Sequence, residues 1–164
     1  CMVSLRCRKL SVDETLAMLT NSAYSARGAG ARLFGWHQRS DPRLLQRNDP
    51  FGVNHWVGGA VGVVRDANGG VPKWDELLKC KCDIDASLQE LMDNRLVFNE
   101  ARFCFVQERD KNLGGNSLFR SAERIATEKR HLKRKWKAHI DFGDYKSQDR
   151  VSMSASRRQS IALG

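Results

Sequence analysis

The chain has 164 residues, of which 41% are hydrophobic, with thirteen glycines, three prolines and a formal net charge of +9. That length and apolar share fit one modest core, and the many glycines point to a good deal of irregular chain around it. The longest apolar run, WVGGAVGVV at 56–64, is far short of the about 20 residues of a bilayer span, and five cysteines without framework spacing favour a reduced compartment over a disulfide-stapled scaffold.

Residues 1–10 read as a basic N-terminal extension. MVSLRCRKLS at 2–11 holds three basic residues and no acid, a composition similar to organellar import segments, and it predicts an organellar, mitochondrial location. A first helix begins at Ser11, because SVDE sets a serine three residues before Glu14 as a capping box does. Val12, Leu16, Leu19 and Ala23 then recur at helical spacing as one apolar face. RGAGAR at 27–32 ends that helix, since glycine tolerates left-handed geometry. Residues 33–52 read as ordered but irregular chain anchored by Phe34, Trp36 and Phe51. Asp41-Pro42 starts a short helical turn through Leu44 and Leu45, and Asn48-Asp49-Pro50 makes a turn.

VGVVR at 61–65 predicts a strand closed by the turn sequence DANGG. VPKWDELL at 71–78 predicts a second helix with Trp74, Leu77 and Leu78 on one side. DIDASLQELM at 83–92 predicts a third, with Ile84, Leu88, Leu91 and Met92 facing together. RLVFNEARFCFVQE at 95–108 fits either a hairpin with Phe103 and Phe105 on one face or a continuation of the preceding helix. LGGNS at 113–117 breaks the chain, and Asn116 or Ser117 can cap a helix beginning there. Leu118, Ala122, Ile125, Lys129, Leu132, Trp136 and His139 recur along that helix at alternating spacings of four and three, a heptad-like stripe. After Asp141 the chain turns polar and loses periodicity, as a disordered tail does. These elements add up to a mainly α fold with a small β component: a helix-rich core at 11–112, a long basic amphipathic helix at 113–141 and a polar tail at 142–164.

Charge is laid out in three blocks. Residues 1–60 balance to +4, residues 61–110 to −3 and residues 111–164 to +8. A basic–acidic–basic layout implies a polyanionic or acidic partner at the two ends. The densest run is EKRHLKRKWK at 128–137, where Lys129, Arg130, Lys133, Arg134, Lys135 and Lys137 crowd one helix with Leu132 and Trp136 among them. Leu132 and Trp136 lie four apart and share a face, which assigns them to docking, or Trp136 to stacking on an unpaired base. The six cations are candidate polyanion-binding residues, the arginines for bidentate phosphate contacts and the lysines as point charges.

Other chemistry is thin. Cys80-x-Cys82, with Cys104, Cys7 or His55, falls short of the paired units of a structural zinc site. Phosphate-loop and dinucleotide motifs are absent, and no nucleophile–base pair stands out, so the sequence predicts neither a cofactor, nor a metal, nor an enzyme. SRRQS at 156–160 places two arginines before Ser160, a pattern that basophilic kinases accept. The expected function is that of a non-catalytic structural subunit of a large assembly, an RNA-contacting protein of ribosomal type. The alternative is an accessory subunit of an organellar membrane energy complex, contacting acidic subunits or lipid headgroups. Neither carries a transmembrane segment.

Overall fold

The computed structural model of the protein describes residues 8–37, 49–53, 55–105, 120–145 and 148–153. Helix α1 (Val12–Gly28) opens on a closed capping box: Ser11 Oγ accepts the Glu14 amide at 3.2 Å, and Glu14 Oε2 accepts the Ser11 amide at 2.8 Å. The side it buries is Met18, Ser22 and Ala26. The face read from the sequence points elsewhere, with Val12 83%, Leu16 63% and Leu19 36% exposed, and only Ala23 of that set touching the core. Trp36 supplies the reason. Its buried indole N–H needs an acceptor, Ser22 Oγ provides one at 3.1 Å, and small Ser22 and Ala26 let the helix lie close on the aromatic strand below.

That strand is β1 (Leu33–His37). With β2 (Phe51–Val53), β3 (Val61–Val63) and β4 (Phe98–Cys104) it forms a mixed sheet in the order β2-β4-β1-β3. Strands β1 and β4 run parallel, and the two outer pairings are antiparallel. Alternation along β1 sends Phe34 and Trp36 to the α1 side, where they meet Met18, Ala26 and Phe98. Leu33 goes to the other side, against Val57, Val97 and helix α2 (Cys82–Asp93) through Ala86 and Leu91. Gly35 is forced by this packing, because a Cβ there would sit 2.7 Å from Val57 Cβ. The sheet is thus covered on both faces by one helix each. Part-buried Arg32–Glu90 contacts, at 3.0 Å from both Nε and Nη2, tie the start of β1 to α2.

Helix α3 (Ala122–Trp136) comes next, then a single 3-10 turn (Lys137–His139) and a hairpin of β5 (Ile140–Tyr145) and β6 (Gln148–Met153). Leu132 and Ile140 complete a third apolar cluster with Leu78, Ile84 and Leu88. This cluster welds α3 and the hairpin to α2.

The mainly α expectation is therefore wrong: among the described residues, three α-helices stand beside a four-stranded mixed sheet and a further two-stranded hairpin, an α+β arrangement. Strand β1 reads as irregular in the sequence because a strand buried on both faces shows no polar alternation. Residues 71–78 form no helix; Trp74 and Leu77 are exposed there and only Leu78 of the expected apolar side enters the core. The 95–108 stretch is, within the described residues, neither hairpin nor helix but holds the single long-range strand β4. In the stretch expected to be a disordered polar tail, Ile140–Tyr145 and Gln148–Met153 pair as antiparallel strands, and residues 154–164 lie outside the described residues. Expectations for residues 1–7, the Asp41-Pro42 turn, the LGGNS break with its Asn116 and Ser117 caps, and Ser160 lie outside the described residues.

Candidate polyanion-binding surface

Helix α3 has two opposite sides with different work. It starts at Ser121, whose Oγ accepts the Arg124 amide at 3.1 Å. One turn further, Glu128 is buried to 2% exposure and points into the chain that leads into α2. Its Oε1 accepts the Lys79 amide at 3.0 Å, and its Oε2 accepts the Cys80 and Lys81 amides, both at 3.0 Å. Three consecutive backbone N–H groups wrapped on one carboxylate form an anion nest, filled here by the protein itself. Arg124 lies 3.6 Å from the same carboxylate.

The same side continues with His131, Leu132, Lys135 and Trp136. Leu132 is fully buried. Trp136 Nε1 donates to Asp85 Oδ1 at 2.7 Å, and Lys135 Nζ bridges Asp85 at 2.9 Å and Asp75 at 3.0 Å. His131 Nε2 meets Asp75 Oδ2 at 2.9 Å. The His131 hydrogen bond, then that of Lys135, hold the Asp75 carboxyl down at about 2. Burial pulls the Lys135 ammonium downward, but its bonds to Asp85 and Asp75 outweigh this and its pKa is raised.

The opposite side of α3 is basic and open. Thr127, Lys129, Arg130, Lys133 and Arg134 line a concave surface of about 720 Å³ with Phe142 of β5. The Lys129 and Lys81 ammonium groups lie 5.7 and 5.8 Å from the centre of the Phe142 ring, within cation–π range. Arg130 Nη2 donates to Thr127 Oγ1 at 3.1 Å, and Lys133 pairs with the exposed Asp141 at 2.7 Å, which keeps the Asp141 carboxyl below its ordinary range. Among the described residues, Arg130, Arg134 and Lys137 form no salt bridge. Lys137 stands at the C-cap with φ 49 and ψ −115.

Of the residues singled out from the sequence, four cations come together here: Lys129, Arg130, Lys133 and Arg134. Lys135 is turned to the inner side and held by two aspartates, while Leu132 and Trp136 dock α3 on the body of the protein. Sequence reasoning missed Glu128, Phe142 and Lys81. A signal existed for Glu128, the lone acid in a basic run and in step at four-residue intervals with Leu132 and Trp136. None existed for Phe142 without the hairpin that carries it. Cys80, Cys82 and Cys104 are half-buried thiols, and burial, then the Asp83 charge, push the Cys82 thiol up. Among the described residues, no three histidine, cysteine or acidic side chains gather as a metal site, and no helix is long and apolar enough to cross a membrane. Compared with protein-family models, with curated proteins and with solved structures, the chain matches none.

Proposed function

We propose that the protein is a non-catalytic structural subunit of a large ribonucleoprotein assembly, of ribosomal type and organellar, that holds RNA phosphates on the basic side of α3. The supporting observation is the gathering of Lys129, Arg130, Lys133 and Arg134 on one concave surface of a helix whose other side is already bonded to the protein. Like charges one helical turn apart repel one another, and an anion laid across them relieves the repulsion. Three phosphate contacts give a log–log salt slope of about −2 to −3, so affinity should fall by roughly 20- to 40-fold between 50 and 200 mM salt. The test is Arg130→Glu with Arg134→Glu, which spares the Lys133–Asp141 pair. RNA affinity should drop and the salt slope shrink by about 1.5 to 2. An unchanged affinity and slope would reject the proposal.

A second reading is an accessory subunit of an organellar membrane energy complex, with the same cations facing acidic subunits or lipid headgroups. It is favoured by the exposed Val12, Leu16 and Leu19 stripe of α1, a face suited to a protein neighbour. Release of the native protein from its assembly by nuclease supports the first reading, and release only by detergent supports the second.

A further inference from the structure

We infer that the groove between α3 and β5 takes single-stranded RNA in preference to duplex, with Phe142 as the platform on which an unpaired base stacks; this rests on the RNA-binding reading above. The shape is the first argument. The cations line a wide, open groove of about 720 Å³ that has an aromatic ring in its wall. A duplex is a stiff rod with its bases stacked inside. It meets the rim of such a groove and offers nothing to the ring. An unpaired strand can splay a base into it while its phosphates track the surrounding charges.

The ring's present neighbours are the second argument. Lys81 and Lys129 cover Phe142 at cation–π distance. An exposed contact of that kind is worth about two- to fivefold in an equilibrium, whereas a stacked base is worth about 5- to 150-fold. A base therefore competes with a lysine for the ring, and the ammonium beside it meets the phosphates of the same strand. Trp136, the aromatic residue that the sequence puts forward, is committed elsewhere through its Asp85 hydrogen bond, whereas Phe142, packed on the same cluster, turns part of its ring to the groove. Phe142 carries no hydrogen-bonding group, so the platform accepts any base.

The experiment measures binding of the full chain at low salt to three probes: a single-stranded RNA of about 12 nucleotides, a duplex of the same length, and inorganic polyphosphate. The single strand should bind at least fivefold tighter than the other two. Phe142→Leu, which keeps an apolar side chain against the cluster, should cost about 5- to 150-fold for the single strand and leave polyphosphate unchanged, while Phe142→Tyr should restore the single-strand affinity. Equal affinity for single strand and duplex would overturn the inference and leave the RNA-binding reading standing. Unimpaired single-strand binding by Phe142→Leu would do the same. Failure of all three probes to bind would overturn both. Should Phe142→Leu not fold, the probe comparison on the native chain and the Phe142→Tyr variant decide.

Discussion

Glu128 is the acid through which the basic helix grips the backbone at 79–81. Replacing it with alanine removes the acceptor for the Lys79, Cys80 and Lys81 amides in one step. A hydrogen bond to a charged group contributes about 1.5–3 kcal/mol, so three would sum to roughly 4–9 kcal/mol. That sum overstates the loss, because Lys79 is exposed and Cys80 and Lys81 are half-buried, and water reaches part of the nest once the carboxylate is gone. We expect about 3–5 kcal/mol for Glu128→Ala, the range found when one partner of a buried ion pair is removed. Glu128→Gln keeps the shape and one acceptor oxygen but turns an NH₂ group toward amide donors, and should cost about 1.5–3 kcal/mol. The assay is equilibrium urea unfolding of the three chains, with the midpoint falling and the slope m unchanged, since the denatured chain is scarcely altered. Losses under about 1 kcal/mol for both variants would refute the argument that this nest fixes α3 to the approach of α2.

Three further outcomes rest on the same kinds of contact. The Asp75 carboxyl lies at about 2 in the folded protein against 3.8 ordinarily, which at 1.36 kcal/mol per unit is at most roughly 2–2.5 kcal/mol of stability. Because the folded value is the lower one, that stability is present above about pH 5 and drains away as the pH falls towards 2; Asp75→Asn should lose it at neutral pH and show a flatter acid profile in urea titrations from pH 7 to 3. Lys137→Gly should raise the melting temperature by several degrees, since a lysine at φ 49 and ψ −115 carries backbone strain of about 1 kcal/mol that glycine relieves; a lowered melting temperature would count against that geometry. Met18→Ala should cost about 2–4 kcal/mol and Leu16→Ala less than about 0.5 kcal/mol, and the reverse order would restore the α1 face read from the sequence.

The features legible in the sequence were local. The Ser11–Glu14 box, the α2 helix and the VGVV strand before DANGG are each specified by residues a few positions apart, and each is present in the structure. The features that were not legible depended on partners far along the chain. Strand β4 is a strand because β1 lies parallel to it some sixty residues earlier, as the Phe34–Phe98 register records. Helix α1 turns Met18 inward because its Ser22 must accept from Trp36, a partner fourteen positions away and outside the helix itself. The 71–78 stretch has a helical pattern, yet its Asp75 is claimed by His131 and Lys135 from α3, and the backbone there stays irregular. Long-range demands override weak local propensity wherever a buried polar group must find its acceptor. The candidate surface obeyed the same rule: its cations could be found by counting, but the aromatic ring that makes it a groove lay in a segment with no pattern of its own.

The basic run also separates into two sets that one experiment can tell apart. On a helix of 3.6 residues per turn, positions 128, 131, 132, 135 and 136 share one side, and positions 129, 130, 133 and 134 share the other. The first set is bonded internally, down to Lys135 between its two aspartates. In the second, Lys133 pairs with Asp141 and Lys129 lies over Phe142, while among the described residues Arg130 and Arg134 form no salt bridge. Lys135→Glu would place a third carboxylate beside Asp75 and buried Asp85 and should destabilise the fold by about 1–3 kcal/mol, solvent at the lysine end screening part of the repulsion. Arg134→Glu should leave unfolding within about 0.5 kcal/mol of the native chain and act on RNA affinity alone. Two substitutions of the same chemistry, one position apart, would then report through different assays. If both acted equally on stability and on binding, the division of α3 into an anchoring and a contacting side would not hold, and the net positive charge of the run, rather than its placement, would govern its behaviour.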